Sequence, residues 1–494
     1  MRRGLPTLAD AADPLGKLQR GLGSGYLWAL DADRAVGHAL LLHCVFNDPR
    51  WDRQLDDRDD YHATLALDLR LPTSALELWL RDSDEDDPDT TGDVLGMLGR
   101  MAARGHADAR RALREYVAYG RSWPRAIDEL VGDYDAASGA SSWPEVVAGL
   151  DAVLVERFAT GDALAEALTG IDPRERPWTM WSVENPRIAR ALAIEQPRGG
   201  AGGGSGAGGG GPALTAAPPS SATKRRTGAR QRGSQPRAGP RPREMSTATL
   251  LRIAEDSRWT QIADELATRT ASADVELLLA AAGDPAVPMR RAAILALGRQ
   301  GHSELLQIAE QNTKAERDKL QGAIALALEA MPLSQTRALA HDWLTSTDWA
   351  RRRKAAGILA THAEDDDLAP ARSALTRELD HGLDGDVYVI CSLAQALGRS
   401  ALHGPYDELL RAYEEIPYSY GRRYIVAALA ASDPMFAADA AVECLWDCEA
   451  QTRALAATHV DHRVRLAAQR LDELTADQAQ AASVRLAADG RLRS

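Results

Sequence analysis

An acidic stretch near the start of the chain has the residue types that could do chemistry. Residues 47 to 62 read NDPRWDRQLDDRDDYH, with six aspartates, three arginines and a histidine. Asp59 and His62 form an Asp-x-x-His step, which could supply two ligands of a di-metal site, but such bundles need a second motif and further carboxylates. No second motif of that form occurs in the sequence. We therefore expect the solvated face of a helix, in preference to an acidic partner-binding patch or a metal site.

A second acidic segment, DSDEDDPDTTGD at residues 82 to 93, has the spacing of a calcium loop. Asp82, Asp84 and Asp86 take positions 1, 3 and 5, and Asp93 takes position 12. Asp87 stands where the loop needs glycine, and position 12 lacks the longer glutamate. These departures predict an exposed acidic loop between helices and no metal site.

Two clusters of basic and aromatic side chains are candidates for binding. Cations beside an aromatic ring, as in DWARRRKAAG, could hold phosphate and stack on a base. The segment EEIPYSYGRRY is richer in residue types that anchor protein interfaces. Buried packing between helices competes with both interpretations. The candidate binding residues are Trp349, Arg351, Arg352, Arg353, Lys354, Tyr418, Tyr420, Arg422 and Arg423.

Several enzyme signatures are missing from the sequence, which has no P-loop, no GxGxxG after a strand, no GxSxG and no HExxH. The four cysteines form no CxxC pair, and Cys444 and Cys448, at helical spacing, lack nearby ligands to complete a metal site. No signal peptide or membrane-spanning apolar run is found. We therefore expect reduced, buried thiols, no cofactor, no catalytic residue and a cytoplasmic protein.

The chain of 494 residues is long enough for two or more domains. Residues 196 to 244 are rich first in glycine and then in arginine and proline, with almost no large apolar side chain, and this composition predicts a disordered linker. The net charge of −13 divides into −12 for 1–195, +8 for the linker and −9 for 245–494. A basic linker could contact nucleic acid, but we favour contact with its own acidic lobes or a solubilising role.

Alanine, leucine, arginine and glutamate dominate both lobes, and β-branched clusters are almost absent, so we predict an all-α fold. In 245–494, similar units begin at residues 284, 312, 347, 384, 417 and 447, each with a polar turn before an alanine-rich helix. Helix-pair repeats of this length are typical of α-solenoids. A basic residue recurs near the start of that helix, as Arg291, Arg352, Arg422 and Arg453.

These turns, basic residues and small apolar helices resemble the HEAT-repeat family, mainly over residues 246 to 475. Armadillo-like and other α–α superhelical folds stay open, because the repeats are short and irregular. The resemblance implies an extended surface that grips partners. HEAT-like metal hydroxylases rely on His-Glu pairs, which the eleven histidines here do not form; solenoid bilin lyases have no short signature to test.

The first lobe, 1–195, has a similar but less regular pattern. Residues 94 to 120 resemble one more helix-pair unit, and helices are predicted at 31–46, 49–69 and 73–81. Asp-Pro pairs recur at residues 13, 48, 172, 284 and 433, as expected of a capping aspartate with proline at the first helical position.

We therefore predict two superhelical, HEAT-like lobes, 1–195 and 245–494, joined by the linker 196–244. The expected function is a non-enzymatic scaffold that binds a protein partner and no membrane. Tryptophan and tyrosine, eleven each against three phenylalanines, suit a wet interface. The alternative is a nucleic-acid-processing solenoid of the HEAT-like DNA glycosylase type, which would need a basic groove from Arg351 through Arg422 and Arg423.

Overall fold

The protein is all-α in a computed structural model, and no strand occurs in the part of the chain that the structure describes. The described residues are 7–50, 58–83, 87–132, 143–193, 242–255, 257–312, 319–382, 385–399, 404 and 406–494. Residues 196 to 241 of the predicted linker therefore lie outside them. Among the described helices, none combines the length and apolarity that crossing a bilayer requires.

The helices fall into two compact units that do not follow chain order. The first unit contains residues 1–201 together with 379–494, and the second contains 202–378. The last helices of the chain thus pack with the first ones. The domain limits 1–195, 196–244 and 245–494 stay a prediction from composition.

Helices before the linker belong to the first unit. In chain order they are α1 Pro14–Arg20, α2 Gly23–Asp31, α3 Arg34–Phe46, α4 Asp59–Leu69, α5 Ser74–Ser83, α6 Pro88–Ala103, α7 Ala107–Tyr119, α8 Trp123–Gly132, α9 Trp143–Val147, α10 Leu150–Arg157, α11 Gly161–Ala167, α12 Trp178–Glu184 and α13 Pro186–Ala193.

The helices after the linker are divided between the units. A 3-10 turn, Pro242–Glu244, precedes the second unit's α14 Thr247–Arg252, α15 Trp259–Leu266, α16 Ser272–Ala282, α17 Val287–Gln300, α18 Glu304–Gln311, α19 Lys319–Ala330, α20 Leu333–Leu344, α21 Trp349–His362, the 3-10 turn Asp365–Asp367 and α22 Leu368–Asp380. The first unit resumes at Leu379, in the last two residues of α22, and continues with α23 Val387–Gly398, α24 Asp407–Glu415, α25 Ser419–Ser432, α26 Ala440–Cys444, α27 Ala450–His459, α28 Arg465–Ala476 and α29 Ala482–Leu492.

Each unit is built from helices that pack on the next helix but one. In the second unit α15 packs on α17, α17 on α19 and α19 on α21. In the first unit α23 packs on α25, α25 on α27 and α27 on α29, and α4 likewise packs on α6 and α6 on α8. This packing buries the alanine-rich faces that the sequence repeats marked. Membership of the HEAT family stays a prediction.

The same glycine contact recurs in both units. Gly298 and Gly398 each stand in an Ala-Leu-Gly-Arg sequence near the end of a helix. A Cβ on Gly298 would lie 2.4 Å from the backbone oxygen of Ala327, and one on Gly398 would lie 2.7 Å from the Cα of Ala428. Glycine is therefore what allows α17 to approach α19, and α23 to approach α25, this closely.

Most of the Asp-Pro pairs do not begin helices, so that part of the sequence interpretation is wrong. Of the five pairs named above, only the first begins a helix, α1 at Pro14; a sixth pair, Asp87-Pro88, also begins a helix, α6. At the other four pairs the aspartate accepts a hydrogen bond from the backbone N–H two residues later, in an Asx turn. These aspartates are Asp48, Asp172, Asp284 and Asp433.

The helix predicted over 49–69 is shorter at its start. Pro49 and Arg50 are not helical, and α4 begins only at Asp59. Trp51 and Leu55, which were expected to form its apolar stripe, lie outside the described residues. The neighbouring predictions, 31–46 and 73–81, correspond to α3 and α5 with small shifts at their ends.

Candidate functional site

Trp349 begins α21 in the second unit and is 41 % exposed. The Asp348 carboxylate caps this helix by accepting the Ala350 N–H at 2.9 Å. One turn further on, the Arg353 guanidinium lies over the indole, 5.1 Å from the ring centroid. The cation and the cap hold the indole at the start of the helix, with part of its face toward solvent.

The other basic residues of this run are divided between the surface and the interior. The Arg351 guanidinium lies 5.7 Å from the centroid of the buried Trp343 ring. Arg352 donates from Nε to the fully buried Glu378 carboxylate at 2.6 Å. Lys354 is buried, and burial, with the charges of Arg351 and Arg353, lowers its pKa to about 8 against the opposing effect of Asp348. The run is therefore not a continuous cationic surface.

The second candidate cluster lies at the start of α25 in the first unit. The Arg423 guanidinium lies 3.7 Å from the Tyr420 ring centroid and 4.6 Å from that of Tyr424, whose hydroxyl it contacts at 2.6 Å. Tyr420 is half-buried, whereas Tyr418 is buried with its ring 5.8 Å from Tyr420. Tyr420 and Arg423 keep some accessible surface, and Tyr418 belongs to the core.

Arg422 is fully buried, so it cannot line a groove for nucleic acid. Its Nε and Nη2 donate to the Asp447 carboxylate at 2.8 and 3.0 Å, and Nη2 also lies 3.4 Å from the Gly21 carbonyl oxygen. The Tyr413 hydroxyl donates to the same carboxylate at 3.3 Å. Arg422 thus joins α25 to the turn before α27 and to the end of α1. The predicted binding residues 349–354 and 418–423 belong to different units.

The acidic stretch is mainly structural, and the expectation of a solvated helix face is wrong for its described part. Asp48 is buried and pairs with Arg50. Asp60 pairs with Arg104 at 2.6 Å and with Arg453 at 3.0 Å. Burial pushes the pKa of Asp60 upward, but the charges of Arg453 and Arg104 outweigh it and hold that pKa below its usual value.

These pairs form a charged seam between the early and late helices of the first unit. Arg104 also pairs with Asp477 at 2.8 Å, and Arg453 donates to the Gln480 side chain at 2.6 Å. The sequence signal was the density of aspartates before α4. The two cations that pair with Asp60 lie 44 and 393 residues away, at Arg104 and Arg453, so spacing along the chain could not identify them.

The calcium-like segment is used for helix capping. Asp87 accepts the Thr90 N–H at 3.1 Å and caps α6, with Pro88 as its first residue. Asp93 pairs with Arg50 at 2.9 Å. Asp84 and Asp86 lie outside the described residues. Within the described ranges no group of three or more acidic, histidine or cysteine side chains could hold a metal.

The four cysteines are free and buried, as predicted. Burial raises the pKa of the Cys44 thiol and of the Cys391 thiol to about 12. Such thiols are protonated at neutral pH and make poor nucleophiles.

Comparison with known proteins adds no family to this picture. No family model matches the chain, and no curated protein matches it. A crystal structure of an engineered protein aligns over 95 % of this chain and 98 % of its own, at 13 % identity and a TM-score of 0.25.

Proposed function

We propose that this protein is a non-enzymatic scaffold that binds a protein partner through the start of α21, with Trp349 as the anchor. The observation that carries this proposal is the exposure of the Trp349 indole, 41 %, together with its fixed position under the Arg353 guanidinium. A tryptophan that is already ordered loses little conformational entropy on binding, and tryptophan and arginine are enriched at interface hot spots.

The surroundings of Trp349 support a protein partner more than a nucleic acid. Of the four basic residues after it, Arg352 and Lys354 are directed into the fold, and Arg352 is neutralised by Glu378. A phosphate backbone needs several accessible cations, because each neutralised phosphate contributes separately to affinity. A mixed surface of one indole and two half-buried arginines is better suited to a partner that offers an apolar pocket edged by carboxylates.

The test begins with the tagged full-length protein captured from the cells that produce it and washed at high salt. A stoichiometric protein should remain bound to the wild type and be lost from Trp349→Ala. With that partner purified, Trp349→Ala should weaken binding by about 30-fold, the size of a hot-spot residue.

Trp28→Ala is the matched control, because Trp28 is 38 % exposed but lies in the first unit. It should bind the partner as the wild type does. Equal binding by wild type and Trp349→Ala would refute Trp349 as the anchor, and nucleic acid released by salt, with no protein retained, would refute the scaffold.

A further inference from the structure

A cleft of about 420 Å³ lies within the first unit, apart from the Trp349 surface. Its size is in the range of small-molecule sites. The segment before α1 and residues of α1, α23 and α24 border it. Its apolar walls are formed by Leu8, Leu379, Val387, Ile390, Ile416 and Pro417.

Arg20, at the end of α1, lines this cleft and is only 6 % exposed. Its Nε donates to the Glu415 backbone oxygen at 3.1 Å, and its Nη1 donates to the backbone oxygens of Ala9 and Gly16 at 2.9 and 3.0 Å. Nη2 has no hydrogen-bond partner among the described residues, and it is not sealed from solvent. Nη2 is therefore the donor that a ligand in the cleft could reach.

Among the described residues, no carboxylate forms an ion pair with Arg20. The three backbone oxygens satisfy donors but carry no net charge. Burial, and then the nearby charges of Arg422 and Arg58, lower its pKa to about 10, against the smaller opposing effects of Asp10 and Glu415. A buried cation without a counterion is costly to keep, and an anion in the cleft would offset that cost.

The remaining groups of the cleft restrict which anion fits. Because Nε and Nη1 are already used, Nη2 is the one open nitrogen of Arg20, and the side chain cannot offer the two parallel N–H groups on neighbouring nitrogens that suit phosphate. The acidic residues Asp10 and Glu415 also line the cleft; within the described residues Glu415 pairs with Arg411 at 2.8 Å, whereas Asp10 has no ion pair. These carboxylates disfavour a dianion, while the apolar walls favour a hydrocarbon body.

We propose that this cleft binds a small monocarboxylic acid, with its carboxylate at Arg20 Nη2 and its apolar body against Val387, Ile390 and Ile416. The segment that carries Ala9 forms part of the wall of this cleft. The Gln19 side chain accepts the Ala9 N–H at 2.7 Å, which holds the segment on α1 and keeps the cleft wall in place.

The test is calorimetric titration of the full-length protein with 4-phenylbutyrate and with its neutral amide. The acid should bind at least about tenfold more tightly than the amide, because a hydrogen bond between charged groups is worth that much in a partly desolvated site. Arg20→Gln should remove the preference for the acid. Inorganic phosphate should bind more weakly than 4-phenylbutyrate.

If Arg20→Gln fails to fold, a second variant still tests the proposal. Val387→Phe fills the cleft at the first residue of α23 and leaves Arg20 in place; it should weaken binding of both probes by at least about tenfold. Arg463→Gln makes the same charge change at a residue whose side chain is 82 % exposed, and should bind as the wild type does. Equal affinity of the wild type for acid and amide, tighter binding of phosphate, or unchanged binding in a folded Val387→Phe would overturn the proposal.

Discussion

Two arginines in different units, Arg352 and Arg453, make hydrogen bonds of the same kind to their own preceding turns. Arg352 donates from Nη1 to the backbone oxygens six and five residues before it, at 3.3 and 3.2 Å. Arg453 makes the same two contacts, both at 2.7 Å. Each arginine thus closes the polar turn before its own alanine-rich helix. The basic residue that recurs in the sequence repeats is a structural part of the repeat.

The units differ in what lies next to that arginine. In the second unit, the residue after Arg352 is Arg353, which is half-buried and lies over an exposed indole. In the first unit, Arg453 continues into a buried seam with Asp60 and Gln480. Arg352 and Arg453 both join helices inside their units, through Glu378 and Asp60. The units differ one residue later, where Arg353 lies over an exposed indole and the first unit has Ala454.

The largest expected effect on the free energy of unfolding comes from breaking the buried Arg422–Asp447 pair of the first unit. Asp447→Ala removes both carboxylate contacts of Arg422 and leaves a fully buried cation. We expect the free energy of unfolding to fall by about 3–5 kcal/mol, measured by hydrogen exchange in α23 and α25. Asp461→Ala, which removes the partner of the exposed Arg463, should leave exchange there unchanged. Equal effects of the two variants would contradict a structural role for Arg422.

The second unit has a half-buried acid, Glu329, with no ion pair to a cation among the described residues. Burial raises the pKa of Glu329 from 4.5 to about 7. Below pH 4.5 the folded and unfolded chains both hold this proton; between about 4.5 and 7 only the folded chain does, so stability falls as pH rises through that window. Glu329→Gln should remove this loss, worth up to about 3 kcal/mol.

Urea unfolding of wild type and Glu329→Gln at pH 5 and pH 8 checks this prediction. The variant should gain stability relative to the wild type on going to pH 8. Glu304→Gln, at an exposed residue of α18, serves as the control. A constant difference between wild type and Glu329→Gln at both pH values would show that Glu329 titrates normally.

How much of the structure can be predicted from the sequence depends on how far apart the interacting residues lie along the chain. The all-α fold and the burial of the cysteines follow from local composition, and both are confirmed. The partners of Asp60 and Arg20 could not be predicted, because Arg453 is 393 residues from Asp60 and the Glu415 oxygen is 395 from Arg20. Asp-Pro is ambiguous for another reason: one aspartate can cap a helix or close an Asx turn, and the chain beyond the proline decides.

Two glycine substitutions, with a smaller expected effect on the free energy of unfolding, test whether the close helix contacts at these glycines are equivalent in the two units. Gly298→Ala and Gly398→Ala should each cost about 1–3 kcal/mol, because the new methyl group meets the neighbouring helix backbone. Gly322→Ala is the control, since a Cβ there meets nothing within 4 Å; it should stabilise α19 by up to about 1 kcal/mol. Urea unfolding measures all three. A neutral result at only one of the two contacts would mean that the units tolerate different helix spacings.

The smallest expected effect on stability is at Trp349, and it distinguishes an anchor from a core residue. Trp343 in α20 is 1 % exposed, whereas Trp349 is 41 % exposed. Trp343→Ala should cost about 3–5 kcal/mol because it opens a cavity, and Trp349→Ala should change the free energy of unfolding by no more than about 0.5 kcal/mol. Urea unfolding at neutral pH measures both. A comparable loss in the two variants would place Trp349 in the packing of the second unit, and any binding defect of Trp349→Ala would then reflect a damaged fold.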